Sequence, residues 1–141
     1  MKKSILMIFA CWLGFGCTTF KPENIPAKHI TFGNGGGVTG AVKEYILLEN
    51  GQIFTRSTFG VTPVEIKKTK KSAAKKIYAD YEAMKVAEVD FISPGNQYHY
   101  IQMNVDSTTN HRVVWGGAKG TPPEKVMGLY ERLIALVKEK K

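Results

Sequence analysis

Cysteine is scarce in this chain of 141 residues, which contains only Cys11 and Cys17. Cys11 lies inside an apolar segment near the start, so removal of that segment would leave a single thiol. A chain with one thiol cannot form an intramolecular disulfide. We therefore expect the domain to be stabilised by its apolar core and not by cross-links.

Long apolar runs are also missing. Residues 5–13 form a run of nine apolar residues, which would rise only about 14 Å as a helix, whereas the hydrocarbon core of a bilayer is about 30 Å thick. Lys2 and Lys3 precede this run, and a small residue, Gly16, follows it directly before Cys17. This order is typical of a secretory signal peptide, so we expect residues 1–16 to be one, with cleavage after Gly16.

A small residue followed by cysteine closes the signal segment. The pair Gly16-Cys17 resembles the lipobox of bacterial lipoproteins, in which the cysteine is lipidated and becomes the mature N-terminus. The resemblance implies a protein anchored by lipid on Cys17 to a membrane of the bacterial cell envelope. The outer membrane is the expected location, on its periplasmic or surface side. Gly14 and Phe15 depart from the lipobox pattern, and an ordinary cleaved signal peptide is the alternative.

Acidic residues are few, with 12 Asp and Glu against 20 Lys and Arg, and the net charge is +8. After removal of residues 1–16, the excess falls to six. It lies in one lysine-rich run, outside which basic and acidic residues are equal in number. This distribution predicts a local basic patch and no nucleic-acid partner. Contact with anionic lipid headgroups or with an acidic partner is one hypothesis, and a solvated loop is the other. The run consists of Lys67, Lys68, Lys70, Lys71, Lys75 and Lys76.

The remaining chain divides into a short N-terminal segment and one domain. Residues 17–28 are polar, contain Pro22 and Pro26, and show no periodicity, which favours a lipidated N-terminus followed by a flexible tether. Residues 29–141 have the length of a single domain. We expect this domain to belong to the α+β class.

Hydrophobic periodicity predicts the order of elements in this domain. Asn50-Gly51 is typical of a type I′ hairpin turn, which would place Leu48 opposite Ile53 and Leu47 opposite Phe54. Residues 72–88 have the apolar spacing of a helix, residues 98–115 form a second hairpin, and a T-x-x-E capping box at Thr121 begins a last helix. The prediction is an antiparallel sheet of about four to five strands with two helices, in the order ββαββα.

Catalytic and metal-binding patterns are lacking. There is no G-x-S-x-G motif, and His99 and His111 would lie more than about 20 Å apart along the second hairpin. Asp90 and Asp106 adjoin predicted turns, where aspartate is common for structural reasons. We therefore predict no enzyme activity, no cofactor and no metal site. An envelope-acting hydrolase that uses Asp90, Asp106 and His99 remains the alternative.

Two sets of residues are candidates for ligand contact. The first is a glycine-rich stretch that lacks the following helix of a phosphate-binding loop, so a mobile sheet-edge loop is expected there. The second is an aromatic set that either binds a protein or packs under the last helix. The stretch contains Gly35, Gly36, Gly37, Val38, Thr39 and Gly40. The aromatic set contains Tyr98, Tyr100 and Trp115.

The glycine stretch before a strand, the central helix, the hairpin of residues 98–115 and the helix after Pro122-Pro123 together resemble the emfourin-type inhibitors of bacterial metalloproteases. That resemblance implies inhibition of a secreted metallopeptidase through the glycine stretch. The chain also resembles the small lipoproteins of Bacteroidota. The leading hypothesis is a non-enzymatic, membrane-anchored module that binds a protein partner or another envelope ligand.

Overall fold

The computed structural model describes residues 18–57 and 60–138. The predicted signal peptide, its cleavage site at Gly16 and the lipidation site at Cys17 lie outside the described residues. Within them, short 3-10 turns occupy Pro22–Asn24 and Val86–Glu88. The strands and helices are β1 (His29–Gly36), β2 (Val42–Leu47), β3 (Gln52–Arg56), β4 (Val64–Lys68), α1 (Lys71–Ala83), β5 (Gln97–Asn104), β6 (Asn110–Trp115) and α2 (Glu124–Val137).

The strands form one sheet in the order β4-β3-β2-β1-β5-β6, and neighbouring strands are antiparallel. Both helices pack on one face, called here the helix face, where Ile30 and Phe32 of β1 join Ile77 of α1 and Leu129 of α2 in one buried cluster. The predicted α+β class, antiparallel sheet and two helices are confirmed. The described residues form six strands in the order ββββαββα, so the predicted strand count and order were wrong.

The predicted order ββαββα omits two of the observed strands, β1 and β4, and β4 lies at one edge of the sheet. Val64 and Ile66 alternate with charged residues, but both are exposed, so this strand buries no apolar face. The pairing with β3 shifts between Ile53 and Phe54, where Ile66 is the extra residue of a β-bulge. Lys67 and Lys68 therefore lie in a strand and not in a loop before the helix.

The hairpin between β2 and β3 is present, but its register differs by one residue from the prediction. Leu47 pairs with Ile53 and Ile46 with Phe54, because Glu49 joins Asn50 and Gly51 in a three-residue turn. The amide of Gly51 donates to the carbonyl of Leu48 at 3.0 Å, and Gly51 alone takes a positive φ of 94°. This is the turn-plus-bulge geometry of three-residue hairpins.

Both helices have bounds that differ from those predicted. α1 ends at Ala83, and Lys85 then adopts a left-handed conformation with φ 52°. α2 begins at Glu124 after Pro123, without a side-chain cap, so the capping box at Thr121 does not form. Thr121 and Pro122 each precede a proline, which disfavours helical backbone at both positions.

The segment that precedes β1 packs on the second face of the sheet, called here the open face. Phe20 and Ile25 contact a small buried cluster on β2, β3 and the turn between them. The backbone of Phe20 is also hydrogen-bonded to the buried side chain of Gln52. These contacts differ from the flexible tether expected for residues 17–28. Sequence analysis missed this packing because the segment is mostly polar and Phe20 and Ile25 are its two large apolar residues. The cluster consists of Ile46, Leu48 and Phe54.

Candidate functional site

A cavity of about 610 Å³ lies where β1, β2, β3 and β5 come together at one end of the sheet. We call it the sheet-end cavity. The β3–β4 connection and the start of β4 contribute the apolar groups Val61 and Val64, which are 52% and 61% exposed. Lys43, Arg56 and His99 contribute groups that carry or can carry positive charge, and the described lining contains no Asp or Glu. The lining residues are Asn34, Gly35, Gly36, Ala41, Val42, Lys43, Thr55, Arg56, Ser57, Val61, Thr62, Val64, Gln97, Tyr98 and His99.

Two tyrosines of β5 lie over two glycines of β1 beside this cavity. Tyr98 pairs with Gly35 and Tyr100 with Gly33 on the open face. A Cβ on Gly35 would lie 2.6 Å from the hydroxyl oxygen of Tyr98, so the ring needs the space that glycine leaves. Placement of an aromatic ring over a strand glycine restores the packing that glycine lacks. The two rings lie next to each other, with centroids 6.3 Å apart.

The space above Gly33 also permits a hydrogen bond between side chains two strands apart. The hydroxyl of Tyr100 donates to Oε2 of Glu44 at 2.6 Å, although β1 separates their strands. Burial, followed by the hydrogen bond to Glu44, raises the pKa of Tyr100 well above its usual value. Arg56 forms an ion pair with Glu44, Nη2 to Oε1, at 2.5 Å, and the guanidinium of Arg112 lies 4.4 Å from the centroid of the Tyr100 ring.

This buried polar group fixes one wall of the sheet-end cavity, because Arg56 belongs both to the ion pair and to the lining. Glu44 is only 5% exposed, and a buried carboxylate requires paired charge and hydrogen bonds. Sequence analysis did not identify Glu44 or Arg56 as site residues. The available signal was the alternation along β2, which places Glu44 on the same face as the apolar residues Val42 and Ile46.

The glycine stretch spans a strand end and a turn. Gly35 and Gly36 belong to β1, which lies between β2 and β5 and is not an edge strand. The turn then reverses the chain, with Gly37 and Gly40 at positive φ, and the amide of Gly37 donates to the carbonyl of Asn96 at 2.6 Å. The expected mobile edge loop is therefore a hairpin turn, in which Val38 is fully exposed and Thr39 accepts from the amide of Ala41.

The predicted aromatic face does not form as one surface. Tyr98 and Tyr100 lie on the open face, whereas Trp115 pairs with His99 on the helix face. Trp115 is buried against Tyr130 of α2, with ring centroids 4.9 Å apart. Tyr100 is itself only 1% exposed. Tyr98 is the one member of the set that lines the sheet-end cavity.

The predicted lysine run is divided between three places. Lys67 and Lys68 lie in β4, Lys70 precedes α1, and Lys71, Lys75 and Lys76 lie on α1. Lys76 pairs with Asp80 at 3.3 Å. Lys71 and Lys75 instead lie beside the first described residue, Thr18. The run therefore spans a strand, a connection and a helix.

The residues suggested for hydrolysis are not brought together. His99 and Asp106 lie near opposite ends of β5, and His99 contacts the hydroxyl of Tyr130. Asp106 accepts from the amides of Thr108 and Thr109 at 2.8 and 2.6 Å. These bonds lower the pKa of Asp106 to about 2. They show that its carboxylate stabilises the turn between β5 and β6. Asp90 lies between Val89, whose carbonyl contacts His111, and Phe91.

Within residues 18–57 and 60–138, no group of three or more His, Cys, Asp or Glu side chains is placed to hold a metal ion. The same residues contain no helix that is both long and apolar enough to cross a membrane. Comparison with protein-family models and with curated proteins found no match to this chain. The function is therefore inferred from the geometry of the site.

Proposed function

We propose that the protein is a lipid-anchored lipoprotein of the bacterial cell envelope that binds a protein or envelope ligand without catalysing a reaction. The observation that carries this proposal is the sheet-end cavity, formed at the end of β2 opposite the turn that contacts Thr18. An anchor on Cys17 would hold one end of the domain at a membrane. The cavity would then be open at the other end.

The chemistry of the lining favours a ligand with both apolar and acidic groups. Val42, Val61 and Tyr98 supply apolar surface, and Lys43 supplies positive charge, whereas the charge of Arg56 is already paired with Glu44. Exposed Val61 and Val64 extend this surface onto the adjoining edge of the sheet. An exposed apolar patch with a polar rim is typical of a protein-binding surface. A protein is therefore the first ligand to test.

Photo-crosslinking in intact cells tests the binding proposal. Val61 and Thr62 are exposed and line the sheet-end cavity, so a photoreactive phenylalanine analogue is placed at each of them, and the same group at exposed Glu131 of α2 serves as the control. We expect a discrete adduct from the cavity positions and none from the control. The binding proposal fails if Val61 and Thr62 give no more adduct than Glu131.

The anchor is tested separately by mass spectrometry of the mature N-terminus. The wild-type N-terminal peptide should begin at Cys17 and carry the mass of acyl chains, and Cys17→Ala should abolish this species. Cys11→Ala is the matched control, because it removes the other cysteine of the chain from within the predicted signal peptide. A wild-type peptide that starts after Cys17, or that carries an unmodified thiol, would refute the anchor.

A further inference from the structure

A shallow depression of about 340 Å³ surrounds the start of the described chain. We call its rim the Thr18 surface. It combines the first residues of the domain, the β2–β3 turn and one face of α1, on which Lys71 and Lys75 are neighbours at i and i+4. Both lysines are exposed. The residues of the Thr18 surface are Thr18, Phe20, Pro26, Lys28, Glu49, Asn50, Lys71 and Lys75.

Hydrogen bonds fix the chain at this surface. Nδ2 of Asn50 donates to the carbonyl of Thr18 at 2.7 Å, and Gln52 holds the backbone of Phe20 through two further bonds. Residue 17 can lie only about 3.8 Å from Thr18, measured between Cα atoms. The predicted acyl chains on Cys17 would therefore emerge beside Lys71 and Lys75.

The charge at the Thr18 surface is partly neutralised and partly not. Lys28 pairs with Glu49 at 2.9 Å and lies 3.9 Å from Glu82, and the hydrogen bond with Glu49 raises the pKa of Lys28. Lys71 and Lys75 form no ion pair with any residue in the described part of the chain. These two positive charges are thus available to a negatively charged surface.

We propose that the Thr18 surface docks the domain directly on anionic phospholipid headgroups, with Lys71 and Lys75 as the contacts. This inference rests on the proposed acyl anchor at Cys17. A lysine close to an anionic membrane strengthens attachment by about fivefold, so the two lysines orient a domain that the acyl chains already retain. The sheet-end cavity lies about 17 Å farther along β2 and faces away from the membrane.

The test uses the full chain after processing by its host, purified in detergent and reconstituted into vesicles. One vesicle type contains phosphatidylcholine alone, and the other contains phosphatidylcholine with phosphatidylglycerol. Flotation measures anchoring, and the rate of amine labelling at each lysine, measured by mass spectrometry, reports docking. We expect Lys71 and Lys75 to label at least about threefold more slowly on the anionic vesicles, with no change at Lys119.

Charge reversal provides the second arm. Lys71→Glu with Lys75→Glu should float normally on both vesicle types, and Lys28 should then label equally on both. The matched control is Lys119→Glu with Lys125→Glu, which changes the net charge equally but should leave the slow labelling of Lys71 and Lys75 intact. Both control residues are exposed and lie outside the Thr18 surface.

The outcomes separate the two proposals. Wild-type protein that fails to float on phosphatidylcholine vesicles overturns the acyl anchor, and the docking with it. Wild-type protein that floats, but whose Lys71 and Lys75 label at the same rate on both vesicle types, overturns the docking and leaves the anchor standing.

Discussion

Gln52 and Phe20 are joined by two hydrogen bonds that use both ends of one buried amide. The amide of Phe20 donates to Oε1 of Gln52 at 2.8 Å, and Nε2 of Gln52 donates to the carbonyl of Phe20 at 3.0 Å. Oε1 also accepts from Asn50, and Nε2 also donates to Glu65. All four hydrogen-bonding positions of the side chain are therefore occupied.

Replacement of Gln52 by alanine should release the N-terminal segment from the sheet. The backbone groups of Phe20 would lose their partners, and an unsatisfied buried polar group costs about 1–3 kcal/mol. We expect a loss of that size in the free energy of unfolding in urea, together with faster hydrogen exchange at the amide of Phe20. Gln102→Ala is the control, because Gln102 donates only to Asn104 and should leave this exchange rate unchanged. Slow exchange retained in Gln52→Ala would contradict the expected role.

Two glycines should respond in opposite directions to alanine. A Cβ on Gly33 would lie 2.1 Å from the carbonyl oxygen of Lys43, so backbone must move, and we expect Gly33→Ala to destabilise the protein by at least about 1–3 kcal/mol. Gly128 is exposed in α2, with no atom within 4 Å of its Cβ position. Gly128→Ala should therefore stabilise the protein by about 0.5–1 kcal/mol. Thermal unfolding of both variants checks the pair, and a neutral Gly33→Ala would refute the close strand packing.

The hydroxyl of Tyr100 should contribute measurably to the stability of the protein. Tyr100→Phe keeps the ring over Gly33 but removes the donor to Glu44, and hydrogen bonds to charged groups contribute about 1.5–3 kcal/mol. We expect a loss of that order in urea unfolding. In the double variant Tyr100→Phe with Glu44→Gln, the loss should be smaller than the sum of the two single losses, because both changes affect the hydrogen bond between these residues, although Glu44→Gln alone also removes the ion pair with Arg56. Additive losses would show that the two groups are energetically independent.

The link between the helices should depend on pH. The hydrogen bond with Arg132, reinforced by Lys76, lowers the pKa of Asp80. Because the folded-state pKa is lowered, the stabilisation is present above the ordinary aspartate pKa and is lost as pH falls through the lowered value. Asp80→Asn should therefore be less stable than wild type at pH 7, and the two urea midpoints should converge below about pH 4. Glu131→Gln, on the exposed side of α2, should show no such convergence; a constant difference for Asp80→Asn would contradict the ion-pair explanation.

The parts of the fold that were predictable depend on local sequence. The apolar spacing of residues 72–88 and 124–137 placed both helices, and Asn50-Gly51 placed the first hairpin to within one residue. β4 was missed because its alternation, with Val64 and Ile66 as the apolar residues, is only four residues long and leads directly into the lysine-rich run. The hairpin register was missed because a type I′ turn and a three-residue turn with a bulge both accept Asn-Gly, and only packing on the helix face distinguishes them.

The candidate site was less predictable because it depends on pairing between distant segments. Gly33 and Gly35 are spaced by two, as are Tyr98 and Tyr100, and each pair lies on one face of its strand. These matching intervals were the available signal, but the pairing of β1 with β5 joins residues more than sixty positions apart. Trp115 was wrongly grouped with these tyrosines. Its face of the sheet depends on the register between β5 and β6, which local sequence does not specify.

The bulge in β4 has a consequence for neighbouring copies of the protein. An edge strand offers unpaired backbone groups to any other strand, and charged side chains and bulges are the usual means of preventing such pairing. Ile66 interrupts the regular spacing of β4, and Lys67 and Lys68 follow immediately. Where copies of the protein come together edge to edge, this irregular, cationic border opposes their fusion into a continuous ribbon.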